Sequence, residues 1–170
     1  MIMQNYYVDG LTFQFPDNWQ VSKYDDWAFY RKQFAKMWTG IKSIDLLAVE
    51  PNKTAWLIEV KDYRVHRRTK PSDLSNEIAE KVYDTLAAML PAKVNANDRE
   101  EKRIASVITS CKQIRVVLHL EQPLNHSKLY PHIIDTADLK QKIRQLIKPI
   151  DPHPCVVDKN RLNGLQWIVN

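Results

Sequence analysis

SIDLLAVE (Ser43–Glu50), PNK (Pro51–Lys53) and TAWLIEVKDY (Thr54–Tyr63) follow one another as an apolar run, a turn-forming tripeptide and a second apolar run. That order reads as strand, short turn, strand. Both runs are apolar on both faces, which predicts central strands covered on each side rather than a half-wet edge. Side chains alternate along a strand, so Ala55, Leu57, Glu59 and Lys61 share one face. Antiparallel pairing through the Pro51 turn sets the start of the first strand beside the end of the second. Asp45 then comes close to Glu59 although 13 residues separate them.

Working outward, NYYV (Asn5–Val8) and LTFQF (Leu11–Phe15) flank Asp9-Gly10, a two-residue hairpin signal. DDWAFYRKQFAKMW (Asp25–Trp38) sets Trp27, Tyr30, Phe34 and Trp38 at helical spacing, with Gly40 as the stop. Beyond Tyr63, RVHRRTKPSD (Arg64–Asp73) is polar and basic, and Pro71 precedes Ser72 and Asp73 as helix caps. A long helix is predicted from there to Leu90, burying Ile78, Val82, Leu86, Met89 and Leu90, with Pro91 ending it. Asp98 and Glu101 have capping-box spacing ahead of a shorter helix carrying Ile104, Val107, Ile108 and Cys111. QIRVVLHLEQP (Gln113–Pro123) is rich in β-branched residues and reads as another buried strand. Leu124 to Pro131 reads as loop, and Thr136 to Lys148 as a helix burying Leu139, Ile143, Leu146 and Ile147. CVVD (Cys155–Asp158) and LQWIVN (Leu165–Asn170) read as a terminal hairpin around Asn163-Gly164. The element order describes an α/β sandwich: a mixed β-sheet core flanked by helices, with an N-terminal β-hairpin.

With 170 residues, the chain is expected to form a single domain over residues 1–170. Its 25 Lys and Arg against 20 Asp and Glu leave a formal charge of +5, which favours an anionic partner. Gly10, Gly40 and Gly164 are the only glycines, so neither a dinucleotide fingerprint nor a Walker loop exists here. Cys111 and Cys155 cannot supply a Cys-rich zinc cage, and so few thiols suit a reducing compartment. MIMQNYYVDG lacks the basic-then-apolar pattern of a secretory leader, and no run of about 18 apolar residues occurs. A soluble cytoplasmic protein with no membrane contact is expected. No serine sits in an elbow motif, so covalent acyl chemistry has no support. His126, His132, and the group His153, Cys155 and Asp158 read as ordinary surface residues, and His119 as a satisfied core or edge histidine.

Two carboxylates at the open end of a buried sheet are costly to leave uncompensated. A divalent cation such as Mg²⁺ or Mn²⁺ would neutralise Asp45 and Glu59, keeping waters for a substrate phosphate. Lys61, on the face of Glu59, could orient an attacking water, and the geometry asks for phosphodiester hydrolysis. Ser43-Ile44-Asp45, 13 residues, then Glu59-Val60-Lys61 resembles the motif of the PD-(D/E)XK nuclease superfamily, the restriction-endonuclease-like fold. The resemblance covers a core of roughly residues 25–120 and implies a metal-dependent endonuclease, a hydrolase acting on DNA. It implies Asp45, Glu59 and Lys61 as catalytic residues, and Asp45, Glu59 and the carbonyl of Val60 as metal ligands. Ile44 stands where the motif has Pro, and the family's first strand has little room between Trp38 and Ser43. The leading helix offers Gln33 at its middle, and only Asp25 and Asp26 lie near its start.

The same spacing also occurs at Glu100 to Lys102 and Asp138 to Lys140, but in solvated helical contexts. Lys61, Arg64, Arg67, Arg68 and Lys70 against Asp62 make a decapeptide of charge +4. Beside a metal site it is placed to hold a phosphate backbone through Arg64, Arg67, Arg68 and Lys70. Three other readings stay open: a strand-end ion pair between Glu59 and Lys61 with Asp45 capping a turn, a catalytically inactive module of the same fold binding nucleic acid, and an accessory protein contacting a protein partner. The resemblance also permits a homodimer.

Overall fold

The computed structural model describes residues 2–70, 72–123 and 134–170. β1 (Met3–Val8) and β2 (Leu11–Pro16) form the expected antiparallel hairpin. Asp9 at φ 47° and Gly10 at φ 77° both lie in the left-handed region, as the tight hairpin turn requires. β3 (Gln20–Lys23), β4 (Leu46–Val49) and β5 (Thr54–Asp62) pair antiparallel in sequence. The register sets Leu46 opposite Ile58 and Val49 opposite Ala55, which puts Asp45 level with Glu59 as expected. β6 (Gln113–Glu121) runs parallel to β5, and β7 (Cys155–Val157) parallel to β6. The result is a five-stranded mixed sheet of order β3-β4-β5-β6-β7.

Period-two alternation sorts this sheet's side chains into two cores. Leu46, Ala48, Trp56, Ile58, Val60 and Val117 pack with Phe13, Phe15, Trp19 and Trp167 beneath the small sheet β1-β2-β8, where β8 is Ile168–Val169. Leu47, Val49, Ala55, Leu57, Val116 and Leu118 point the other way, into the helical layer. That layer comprises α1 (Ala28–Lys32), α2 (Leu74–Asn95), α3 (Arg99–Thr109) and α4 (Thr136–Ile147). Each fully buried Leu, Ile or Phe on either face contributes about 1.5–3 kcal/mol of hydrophobic stabilisation. Asp45, Glu59 and Lys61 have the helix-facing parity, so the chemistry of the cluster lies between sheet and helices. No helix among the described residues is long and apolar enough to cross a membrane.

The sequence expectations need correction at five places, one of them Leu146, expected to be buried on α4 but 37% exposed. The leading helix is broken into a 3₁₀ turn (Tyr24–Asp26), α1 and a second 3₁₀ turn (Phe34–Lys36). Trp27 has ψ 132° and interrupts the helical path, while its indole N–H donates to Ser22 Oγ at 2.7 Å. The stripe stops at Phe34, since Trp38 is 77% exposed. The sheet's first strand, β3, precedes these turns instead of following them, so no room is needed between Trp38 and Ser43. Pro91 sits inside α2: it removes one N–H donor, yet the burial of Ala88, Met89 and Ala92 around it carries the helix on to Asn95. Leu90, one position off that stripe, is exposed. Finally, Cys155–Val157 and Ile168–Val169 join different sheets and form no hairpin, although Asn163 and Gly164 do turn the chain with positive φ. Pro71, the predicted loop at 124–131, His126 and His132 lie outside the described residues.

Candidate functional site

Asp45 immediately precedes β4, and its Oδ2 accepts the Val60 N–H at 2.7 Å, tying the two strands together beyond the last ladder pair. Glu59 is 1% exposed and faces α2. Two ammonium groups meet its Oε1, Lys61 Nζ at 3.1 Å and Lys81 Nζ at 2.6 Å. Lys61 also reaches Glu77 Oε1 at 3.0 Å, and Arg68 Nη1 reaches Glu77 Oε2 at 2.9 Å. The structure thus brings Asp45, Glu59 and Lys61 together as expected and adds Glu77 and Lys81. These two stand one turn apart on α2, beside the buried Ile78 and Val82. Their i,i+4 spacing along the edge of the helix's apolar stripe is the signal that could have found them.

Burial and neighbouring charge set the protonation of the cluster. Burial first, and then the Glu59 carboxylate, raise the Asp45 carboxyl to about 7, against the pull of Lys81 and the Val60 N–H. Asp25 is pushed up by burial and by Asp45, and its Oδ1 is buried with no hydrogen bond among the described residues. Burial opposes the charge of Glu77, yet its bonds to Lys61 and Arg68 prevail and hold the carboxyl down at about 2. Burial likewise opposes the Lys61 charge, but Glu59 and Glu77 more than offset it and raise the ammonium above its ordinary value. Across the sheet, His119 is fully buried, bonded to Glu121 through Nε2 at 2.8 Å, and kept low by desolvation. The core placement expected from sequence is what the structure holds, but the ring is only half satisfied, since Nδ1 is buried without a hydrogen bond among the described residues.

The basic segment divides in two. Arg68 turns inward, onto Glu77, the Ser72 carbonyl at 2.8 Å and the Tyr63 hydroxyl, and only 13% of its side chain is exposed. Arg64, Arg67 and Lys70 lie on the surface. Arg64 is fixed in direction by Asp62, with Nη2 to Oδ2 at 2.6 Å, and Lys70 touches Glu77 at 3.4 Å while 64% exposed. Glu77 therefore anchors the segment at Lys61, Arg68 and Lys70 and leaves its outer cations facing solvent.

A divalent metal fits this arrangement poorly. Among the described residues no group of three His, Cys, Asp or Glu side chains is placed to hold an ion. Glu59 Oε1 already carries two ammonium groups, while its Oε2 is buried with no hydrogen bond among the described residues, and Asp45 Oδ2 is engaged by the Val60 N–H. Lys61 is held between Glu59 and Glu77, so the Glu59–Lys61 ion pair expected as an alternative is present, while Asp45 bonds to β5 instead of capping a turn.

The chain is 31% identical over 201 residues to a cysteine–tRNA ligase of Neisseria meningitidis serogroup A. That relative is named for tRNA, not for DNA cleavage. The match takes in 94% of this chain and 29% of the relative, so the chain spans under a third of the relative's length. No family model and no solved structure matches. The expectation of a metal-dependent nuclease hydrolysing DNA, and of an endonuclease or hydrolase in general, is overturned by this similarity. The physical reason is that buried carboxylates beside a lysine also form a salt-bridged core, as Glu59, Glu77, Lys61 and Lys81 do here.

Proposed function

We propose that this chain is an RNA-binding module that engages tRNA through the exposed cations Arg64, Arg67 and Lys70, in the service of tRNA charging in the cytoplasm. The observation that carries the reading is the 31% identity over nearly the whole chain to a cysteine–tRNA ligase. The surface chemistry supports it: a run of outward cations beside a net charge of +5 suits a phosphate backbone. The similarity covers 29% of the relative, so the proposal extends to recognition of tRNA and not to the charging reaction.

The five-stranded sheet with Asp45, Glu59 and Lys61 at the β4–β5 end serves, in this reading, as a restriction-endonuclease-like scaffold used for binding. Its buried carboxylates orient the basic segment: Glu77 holds Arg68 inward, which turns Arg64 and Arg67 toward solvent. The test is fluorescence anisotropy of labelled tRNA and of a labelled DNA duplex of similar length. The expected result is salt-sensitive binding with tRNA preferred, weakened by joint substitution of Arg64, Arg67 and Lys70 with Ala. No tRNA binding at low salt, or equal affinity for the duplex, would refute it.

A further inference from the structure

We propose that Lys81 is the built-in cation of the Asp45–Glu59 carboxylate pair, standing in for a divalent metal and making the site metal-independent. The inference concerns the interior of the cluster and does not rest on RNA binding. Its ground is placement. Asp45 and Glu59 are level across the β4–β5 ladder, both on the helix-facing side, and α2 projects Lys81 onto Glu59 Oε1 at 2.6 Å. The Lys81 side chain is 16% exposed and that of Glu59 2%, so the contact is shielded from solvent and its charges are little screened. An ammonium has three donors, enough to serve a carboxylate pair from one side as an ion would.

Charge balance points the same way. Asp45, Glu59 and Glu77 are the inward carboxylates, and Lys61, Lys81 and Arg68 are the cations on or beside them. Three cations face three carboxylates, so the cluster needs no further positive charge whether or not Asp45 carries its proton. A divalent cation at Glu59 Oε1 would have to approach to about 2.0–2.1 Å. It would meet two ammonium groups already within 3.1 Å of that oxygen. Binding at Oε1 would require Lys81 to leave, and a buried ammonium without its carboxylate is costly. Replacing Lys81 by an uncharged residue of similar length removes that obstacle and leaves Glu59 and Asp45 short of positive charge. The variant should then recruit from solution what the wild type carries on its own helix.

Mn²⁺ is the probe, followed by electron paramagnetic resonance of free and bound ion, with the thermal midpoint as second readout. The wild-type chain is expected to show no saturable binding at millimolar Mn²⁺ and no shift in midpoint. K81M should gain a single Mn²⁺ site that raises its midpoint, and K81M with D45N should lose it. Saturable Mn²⁺ binding by the wild type that D45N abolishes would overturn the proposal. So would a folded K81M that gains no site. Should K81M fail to fold without metal, recovery of its structure on Mn²⁺ addition supports the proposal. Failure to recover counts against it, and the wild-type titration decides independently of either variant.

Discussion

Replacing Asp45 by Asn is predicted to stabilise the protein above neutral pH. The Asp45 carboxyl is raised to about 7 by burial and by Glu59. In the unfolded chain an aspartate titrates near ~3.9. Between those values the folded state binds the extra proton, so stability declines as pH rises through the window and levels off above the folded value. A gap of about three units corresponds to ~4 kcal/mol at full effect, since one unit is ~1.36 kcal/mol. Asn keeps an acceptor for the Val60 N–H, but a neutral one, which gives back about 1 kcal/mol. Urea denaturation of the wild type and Asp45→Asn at a series of pH values from mildly acidic to mildly alkaline tests this. The variant should gain about 2–3 kcal/mol at the alkaline end and nearly coincide with wild type at the acidic end. Parallel profiles, or a variant less stable throughout, would show that Asp45 is ionised and compensated in the folded state and that the reasoning is wrong.

Glu77→Gln should cost about 3–5 kcal/mol at neutral pH, because it leaves Lys61 and Arg68 without their shared buried carboxylate. With the carboxyl held at about 2, the stabilisation from Glu77 is fully present above the unfolded value and lost as pH falls toward the folded one. Acid unfolding of the variant should therefore show a shallower limb. Arg68→Ala should lower the thermal midpoint more than tRNA affinity, whereas Arg67→Ala or Lys70→Ala should do the reverse, read by calorimetry and anisotropy on the same preparations. Glu101→Ala should destabilise by about 1–2 kcal/mol in urea, since its carboxylate accepts the Ala28 N–H at 2.6 Å and the Phe29 N–H at 3.0 Å.

The central pair of strands was legible because two apolar runs joined by Pro51-Asn52-Lys53 leave one economical pairing, and that pairing alone placed Asp45 beside Glu59. Glu101 shows where local reading stops. Asp98 does cap α3 by accepting the Glu100 and Glu101 N–H groups, but Glu101 caps α1 across the fold instead of closing the box. Lys81 and Glu77 were hidden for a similar reason: on a helix surface an i,i+4 acid and base look solvated until a sheet covers them. Arg68 was grouped with its basic neighbours because charge along a segment says nothing of direction, which its contact with Glu77 decides. The order of β3 ahead of α1 was missed because Gln20–Lys23 is short and half-buried, with little periodic signal. The nuclease expectation fails against the similarity to a cysteine–tRNA ligase, because a carboxylate pair with a lysine serves metal chemistry and salt-bridged cores alike.

The most direct test of the account is the salt dependence of tRNA affinity, measured by anisotropy for the wild type and for the Arg64→Ala/Arg67→Ala/Lys70→Ala variant in metal-free buffer. The account predicts tight binding without metal. It also predicts a slope of log affinity against log salt that is shallower in the variant by about two, at ~0.7 for each phosphate that the variant no longer neutralises. Binding that requires Mg²⁺, or a slope identical in the two proteins, would contradict it.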